Sequence, residues 1–236
     1  MTTSRDKILN KLRAARQPFP DAPPRPKSYL PVTRLDDDSP PALLERFIAE
    51  LERLNGQVTV VDDDDAARDC VLALLKGYNA PAVMAWDFQF IPIDGLEAAI
   101  RAAGIECHLP NIQDESRAET LAALESVPVG LTGADVAAAT TGTLVVSSGP
   151  GRGRIPTVLP RIHIVVITQD QIVPRIEDWV AQQRADNLAG IRSSTNLVFI
   201  TGPSRTADIE KNLVLGMHGP EQVQVVVKRG GGAVQS

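Results

Sequence analysis

The loop with the most reactive residue types reads Thr-Gly-Pro-Ser-Arg-Thr over residues 201–206 and follows the apolar run 197–200. We predict a helix over 207–215 after it, which would place free backbone N–H groups and a positive helix end beside the loop. Because a cation is unfavourable there without an anionic partner, Arg205 indicates a bound anion. Plain helix capping is the alternative, and it explains the hydroxyls and acids but not the arginine. The candidate ligand-binding residues here are Thr201, Gly202, Ser204, Arg205, Thr206, Asp208 and Glu210.

A second hydroxyl-rich loop reads Thr-Thr-Gly-Thr over residues 140–143 and precedes the apolar run 144–146. A turn of this kind exposes successive backbone N–H groups, which can bind a carboxylate or a phosphate. Thr141, Gly142 and Thr143 are therefore candidate ligand-binding residues. A tight turn whose hydroxyls bind its own backbone is an equally good explanation.

Three side chains are candidate catalytic groups. Asp135 follows the predicted strand 127–131, where it either places a carboxylate at the rim of a ligand crevice or caps a short helix that we predict to begin there. His163 begins an apolar run typical of a buried parallel strand, where a lone histidine is more often a hydrogen-bonded core residue than an acid or base. His218 lies in a turn before the predicted strand 223–227.

A glycine-rich loop at residues 149–154 carries Arg152 and Arg154. Its glycine spacing does not fit a dinucleotide-binding turn, and the sequence holds no P-loop. The loop is therefore either a flexible hairpin tip or a mobile lid whose arginines reach an anionic substrate.

The acidic run Asp62–Asp65 precedes a predicted helix over 66–76. Capping and interaction with the helix dipole explain it best. The alternative, a Mg²⁺ site, lacks further acids at suitable spacing. We therefore predict no metal site in this chain.

These loops are positioned by strands that alternate with helices. This pattern predicts an open, largely parallel, doubly wound α/β sheet, whose ligands bind beyond the carboxyl ends of its strands. The predicted helices are 41–54, 66–76, 94–103, 115–125 and one opened by residues 172–178, and the predicted strands are 57–61, 81–85, 105–108, 127–131, 197–200 and 223–227.

The two ends of the chain differ from this pattern. Residues 4–16 predict a short amphipathic helix, and residues 17–41 hold eight prolines, which favours an extended arm. We therefore divide the chain into an N-terminal helix and arm at 1–41, an α/β domain at 42–228 and a flexible tail at 229–236. The arm could join copies of the chain into a homo-oligomer.

Composition excludes several classes of protein. The 236 residues include 24 Lys and Arg and 29 Asp and Glu, a net charge of −5, which argues against nucleic-acid binding. The sequence shows no signal peptide and no apolar stretch long enough to span a membrane, so we expect a cytoplasmic protein. Two cysteines, Cys70 and Cys107, cannot by themselves ligate a four-cysteine zinc site or a [4Fe–4S] cluster.

Together the motifs resemble the lactate-utilization-protein-C family, which carries the LUD domain. The resemblance covers about residues 127–228, and the ten-residue run 201–210 is its most specific part. The matching segments are Gly130–Asp135, Thr141–Leu144, Leu159-Pro160 with His163, Ile172–Pro174, Thr201–Glu210, Gly216 and His218–Pro220.

This resemblance implies a fold like that of the NagB/RpiA/CoA-transferase group. It also implies a part in oxidising L-lactate to pyruvate, with iron–sulfur clusters on partner proteins and no cofactor in this chain. His163 and His218 are the imidazoles that match family positions. Thr140 stands where the family usually has a glutamate, which favours a binding or assembly role or a divergent substrate.

Two other functions stay open. By analogy with the fold group, the chain could be a stand-alone enzyme acting on an activated acyl or phosphate compound. It could also be a non-catalytic assembly or regulatory subunit, for which the proline-rich arm would provide a contact.

Overall fold

The computed structural model describes residues 3–15, 33–110, 117–207 and 213–230. The chain falls into two units, Met1–Val32 and Thr33–Ser236. The first unit contains the predicted amphipathic helix, α1 (Ser4–Ala15), in which no side chain is buried. Its apolar residues Ile8 and Leu12 are 60% and 63% exposed.

The second unit alternates helices and strands. Its helices are α2 (Pro40–Arg53), α3 (Asp64–Gly77), α4 (Leu96–Ala102), α5 (Arg117–Leu124), α6 (Ile155–Val158), α7 (Ile176–Ala185) and α8 (Ala189–Ser193). Its strands are β1 (Gln57–Val61), β2 (Ala82–Ala85), β3 (Glu106–His108), β4 (Val129–Thr132), β5 (Val136–Ala138), β6 (Thr143–Ser148), β7 (Ile162–Thr168), β8 (Ile172–Val173), β9 (Asn196–Ile200), β10 (Arg205–Ala207), β11 (Leu213–Leu215) and β12 (Gln222–Lys228).

The central sheet contains six strands in the order β1-β12-β7-β4-β2-β3, and every neighbouring pair is parallel. Every residue of β2, β4 and β7 is buried. Strands covered on both faces carry continuous apolar runs, which is the pattern read in the sequence. The predicted α/β class with a largely parallel, doubly wound sheet is confirmed.

A second sheet has the order β8-β5-β6-β9, in which β5 and β6 form an antiparallel hairpin and β9 runs antiparallel to β6. Helix α2 joins both sheets into one hydrophobic core through Phe47 and Leu51, which are completely buried. Burial of each of these side chains contributes about 1.5–3 kcal/mol. The second sheet was not predicted from the sequence.

Two predicted helix starts are wrong. Asp135 opens no helix, because the next residues form β5 in the second sheet. The segment 172–178 does not begin a helix at once, because Ile172 and Val173 form β8 beside β5 and the helix α7 starts only at Ile176.

The helix predicted over 207–215 is also wrong. Residues 205–207 form β10 and pair antiparallel with β11, so their backbone groups bond across a hairpin instead of along a helix. Asp208 and Glu210 lie outside the described residues, so their roles stay a prediction.

The helix predicted over 41–54 begins one residue earlier in the structure. Helix α2 already begins at Pro40, inside the segment 17–41 that was predicted as an extended arm, because proline is tolerated in the first turn of a helix. Most of that segment lies outside the described residues, as do residues 231–236 of the predicted tail. Among the described helices, none is long and apolar enough to cross a membrane.

Candidate functional site

The two glycine-containing loops with candidate ligand residues pack against one end of α2. Gly142 has a φ of 59°, and an added Cβ would lie 2.6 Å from the backbone nitrogen of Leu51. Gly202 has a φ of 82°, and its Cβ would lie 3.0 Å from the carbonyl oxygen of Leu54. These contacts are with the carbonyl-rich C-terminal end of a helix, whose partial negative charge does not favour an anion.

The same two loops share their threonine hydroxyls. Thr143 Oγ1 lies 2.7 Å from Thr141 Oγ1 and 2.9 Å from Thr201 Oγ1. The antiparallel pairing of β6 with β9 sets this contact, because Leu144 lies opposite Ile200. The structure therefore brings the predicted residues together, in hydrogen bonds with one another.

The rest of the 201–206 loop contacts the turn before β12. The backbone N–H of Ser204 donates to Pro220 O over 2.8 Å, and Gly216 N–H donates to Ser204 O over 3.0 Å. His218 lies exposed in this turn, at the amino edge of the central sheet. Because the described residues 205–207 and 213–215 pair as strands, the expected helix end beside Arg205, which is exposed in β10, no longer supports an anion there.

His163 lies inside the central sheet with no exposed surface. Its Nε2 is 2.9 Å from Thr132 Oγ1, and its Nδ1 has no hydrogen-bond partner among the described residues. Burial lowers the pKa of His163 to about 3, so the imidazole is neutral near pH 7. Its position favours the core interpretation over an acid–base role.

The pKa of His163 makes stability depend on pH. Between pH 6.5 and about pH 3 the unfolded chain binds a proton at this residue that the folded chain does not bind, so acidification favours unfolding. We expect His163 alone to remove about 1.4 kcal/mol of unfolding free energy between pH 7.5 and pH 5.5. Urea unfolding at the two pH values measures this.

In His163→Gln, which cannot titrate there, the stability difference between the two pH values should shrink by that amount. His218→Gln removes an exposed imidazole and is the matched control. A His163→Gln chain that loses as much stability on acidification as the unaltered chain would contradict the prediction.

Asp135 follows β4 at the carboxyl edge of the central sheet, where a ligand crevice is expected. Its carboxylate accepts hydrogen bonds from Ser147 N at 2.5 Å, from Ser147 Oγ at 2.8 Å and from Arg152 Nη1 at 3.1 Å. The side chains of Arg152 and Asp135 are 30% and 23% exposed. The pair is therefore partly shielded from water and open on one side.

Two aromatic rings lie beside the Arg152 guanidinium. Its central carbon lies 5.0 Å from the ring centre of Phe90 and 6.0 Å from that of Trp86. A guanidinium over ring faces is held by cation–π attraction. Arg152 Nε is buried and has no hydrogen-bond partner among the described residues.

Hydrogen bonds hold the loop that carries Arg152. Gly149 and Arg152 exchange backbone bonds of 3.1 and 3.0 Å, and Asp87 N–H donates to Gly151 O over 2.8 Å. Trp86 Nε1 donates to Gly153 O over 2.9 Å. The loop is thus anchored to the segment after β2, which places Arg152 before any ligand arrives.

A cavity of about 440 Å³ opens beside this ion pair, and we call it the Arg152 cavity. Its walls combine the charged pair with aromatic, aliphatic, amide and hydroxyl groups, a composition typical of small-molecule sites. The lining residues used below are Trp86, Asp135, Arg152, Trp179, Ser194 and Leu197.

Two larger cavities lie nearby. One of about 840 Å³ is lined by Arg117, Arg154 and the other side of the 149–154 loop. The other, of about 810 Å³, lies beside Asp64 and Lys228. Among the described residues, no group of three or more His, Cys, Asp or Glu side chains is arranged to hold a metal ion.

Sequence reasoning found Asp135 and Arg152 but missed the aromatic residues of the Arg152 cavity. Trp86 directly follows β2, so its place after a buried strand was an available signal. Trp179 comes from α7, which lies between β8 and β9 in the sequence, and no local pattern links it to the cavity.

A family model described as the LUD domain matches residues 44–227. Lactate utilization protein C of Halalkalibacterium halodurans is 34% identical over 170 residues, which cover 72% of this chain and 70% of that protein. The protein of the same name from Macrococcus caseolyticus is 32% identical over 184 residues, 75% and 77% of the two chains.

The fold also has a solved counterpart. A crystal structure of a DUF162 family protein from Deinococcus radiodurans superposes with a TM-score of 0.56 and 22% identity, covering 80% of this chain and 98% of that one. At this identity the likeness shows a shared fold. The family model matches most of this chain, and the alignments with the two relatives span more than two thirds of each protein. This protein therefore belongs to the LUD domain family.

Proposed function

We propose that this chain is a cytoplasmic component of an L-lactate utilization system, in which it binds a small anionic ligand and acts with iron–sulfur partner proteins. The observation that carries the proposal is its 31–34% identity to several proteins named Lactate utilization protein C, over most of both chains. The ion pair of Asp135 and Arg152 at the carboxyl edge of the sheet supports the anionic ligand, because an arginine fork matches a carboxylate.

The proposal assigns electron transfer to partners. Oxidation of a hydroxy acid to an oxo acid releases two electrons, and the sequence has neither a dinucleotide-binding turn nor more than two cysteines. Burial raises the pKa of Cys70 and of Cys107, so neither is an activated thiolate. The partners would then supply the clusters that accept the electrons.

An assembly role without catalysis by this chain is the second candidate. Thr140, at the position of the family glutamate, is buried and its backbone N–H donates to Pro174 O over 3.1 Å. A buried threonine offers no carboxylate for acid–base chemistry. The exposed Ile8 and Leu12 of α1 offer an apolar face that a partner or a second copy could cover.

The test is a tagged pull-down from the native cells grown on lactate, with iron and acid-labile sulfide measured in the eluate. We expect iron-bearing partners to be recovered with the chain and growth on lactate to fail when its gene is deleted. A chain recovered alone, from cells that still grow on lactate without it, would contradict the proposal and favour a stand-alone enzyme.

Removal of residues 1–32 tests the assembly role directly. If α1 serves assembly, the shortened chain should lose partner or self-association in size-exclusion chromatography with light scattering. Unchanged association would show that residues 1–32 do not contribute to assembly, and the contact would then lie on the α/β unit.

A further inference from the structure

We propose that the Arg152 cavity binds a small carboxylate that carries a branched or aromatic side chain, with Arg152 as the residue that binds the carboxylate. This inference rests on the proposed function, since it names the site and the chemical class of the anionic ligand. It places the site away from the two threonine loops, which are engaged with one another and with α2.

The charge balance favours an anion over a cation. The Asp135 carboxylate already accepts three hydrogen bonds, two of them from Ser147. Arg152 has five N–H donors, and Nη1 to Asp135 is its one side-chain hydrogen bond among the described residues. The guanidinium therefore retains unused donors, whereas the carboxylate is largely satisfied.

The outer nitrogens of the Arg152 guanidinium are the donors that a ligand can reach. Nε is buried away from any ligand, whereas the side chain is 30% exposed and Nη2 has no hydrogen-bond partner among the described residues. Because Phe90 and Trp86 lie beside the guanidinium and its loop is anchored, a ligand would meet a charge that is already oriented. Preorganisation of this kind lowers the entropic cost of binding.

The apolar part of the cavity lining favours the rest of the ligand. It includes Leu197 and Trp179, which packs edge-on against Phe199 with ring centres 6.3 Å apart. Lactate carries only a methyl group, so in about 440 Å³ it would leave most of the apolar wall facing water. A carboxylate with a branched or aromatic side chain would cover that wall, while Ser194 contributes a hydroxyl beside it.

The chain contains its own reporter for this site. Its two tryptophans, Trp86 and Trp179, both line the Arg152 cavity. Intrinsic tryptophan fluorescence of the purified full-length chain therefore reports occupancy directly. We would titrate 3-phenyllactate, 2-hydroxyisocaproate and L-lactate, with neutral 3-phenyllactamide as the probe that lacks the charge.

We expect saturable fluorescence changes with the two larger acids and at least about tenfold weaker binding of lactate, because lactate buries less apolar area. The amide should bind at least about tenfold more weakly than the acid, since it loses the charge-assisted bond. Equal affinity for lactate and 3-phenyllactate, equal affinity for acid and amide, or no saturable change with any acid would overturn the proposal.

Variants locate the site. Arg152→Gln should weaken binding of 3-phenyllactate by about tenfold or more. Arg192→Gln makes the same change at an exposed arginine on α8 outside the lining, and it should bind as the unaltered chain does. Because Arg152→Gln also removes the partner of Asp135, Ser194→Phe gives an independent test that fills the cavity and leaves the ion pair in place.

Retained affinity in Ser194→Phe, or in a folded Arg152→Gln chain, would overturn the proposal. The titration needs no partner protein, so its outcome is separate from that of the pull-down. Iron-bearing partners recovered by a chain that binds none of the acids would refute this inference and leave the proposed function standing.

Discussion

Replacement of Gly130 by alanine is expected to lower the unfolding free energy by about 3 kcal/mol or more. Gly130 lies in β4, where α6 crosses the strand so closely that an added Cβ would be 1.9 Å from Pro156 O and 2.8 Å from Pro156 C. Both atoms belong to the backbone, so no side-chain rotation relieves the overlap. Urea unfolding of the variant measures the loss.

Gly77→Ala is the matched control. An added Cβ there meets no atom within 4 Å, and Gly77 is the last residue of α3. Since alanine favours a helix over glycine by up to about 1 kcal/mol, this change should stabilise the chain or leave it unaltered. Equal stability of Gly130→Ala and the unaltered chain would show that α6 does not pack on β4 in this way.

The close packing at Gly130 also bears on the site. Helix α6 directly follows the 149–154 loop, and β4 leads to Asp135. A displacement of α6 would therefore move Arg152 relative to its carboxylate partner. We expect a Gly130→Ala chain that still folds to bind 3-phenyllactate more weakly, which the same fluorescence titration would detect.

The central sheet was predictable because buried parallel strands leave continuous apolar runs. Residues 162–168 and 222–228 pair over their full lengths, and each contains a run of consecutive β-branched residues, 164–167 and 225–227, that was visible in the sequence. Helix boundaries such as Pro40–Arg53 were predicted to within a residue, because cap residues and proline mark them locally.

The second sheet was not predictable by the same means. Strand β5 has three residues of valine and alanine, a composition without clear strand preference. Its stability comes from pairing with β6 and β8, and β9 joins the sheet from about 50 residues further along the chain. Tertiary pairing likewise overrode the local helix signals that we read after residue 206.

For the candidate site, too, single residues could be predicted from local sequence, whereas their contacts could not. Asp135 and Arg152 could be singled out because each lies in a loop beside a strand and carries a charge. Their contact could not be predicted, because the loop that carries Arg152 is held near Asp135 by tertiary bonds to Trp86 and Asp87, which are distant in sequence. The composition of the two threonine loops indicated a ligand site. In the structure their hydroxyls instead bond to one another, and their glycines pack against the end of α2.

The second large effect concerns Lys228, at the carboxyl end of β12. Its side chain is 7% exposed, and its Nζ lies 2.6 Å from Asp64 Oδ1, at the start of α3. Asp64→Ala would leave this ammonium shielded from water without its counter-ion. We expect a loss of about 2–3 kcal/mol of unfolding free energy, less than for a fully buried pair because Asp64 is 33% exposed.

Asp65→Ala provides the control, because both acids lie in the first turn of α3 and interact equally with its dipole. Asp65 pairs with Arg68 while 85% exposed, and an exposed pair contributes about 0–1 kcal/mol. The difference between the two variants in urea unfolding therefore isolates the contact with Lys228.

A third variant distinguishes the stability that the ion pair contributes from the destabilisation caused by an unpaired buried charge. Lys228→Met in the Asp64→Ala chain removes the stranded ammonium and keeps the aliphatic stem, so it should recover most of the lost stability. If the double variant is as unstable as Asp64→Ala alone, the loss comes from the start of α3 and not from Lys228. Recovery would mean that the loss in Asp64→Ala comes from the unpaired ammonium and that the pair itself is dispensable for folding.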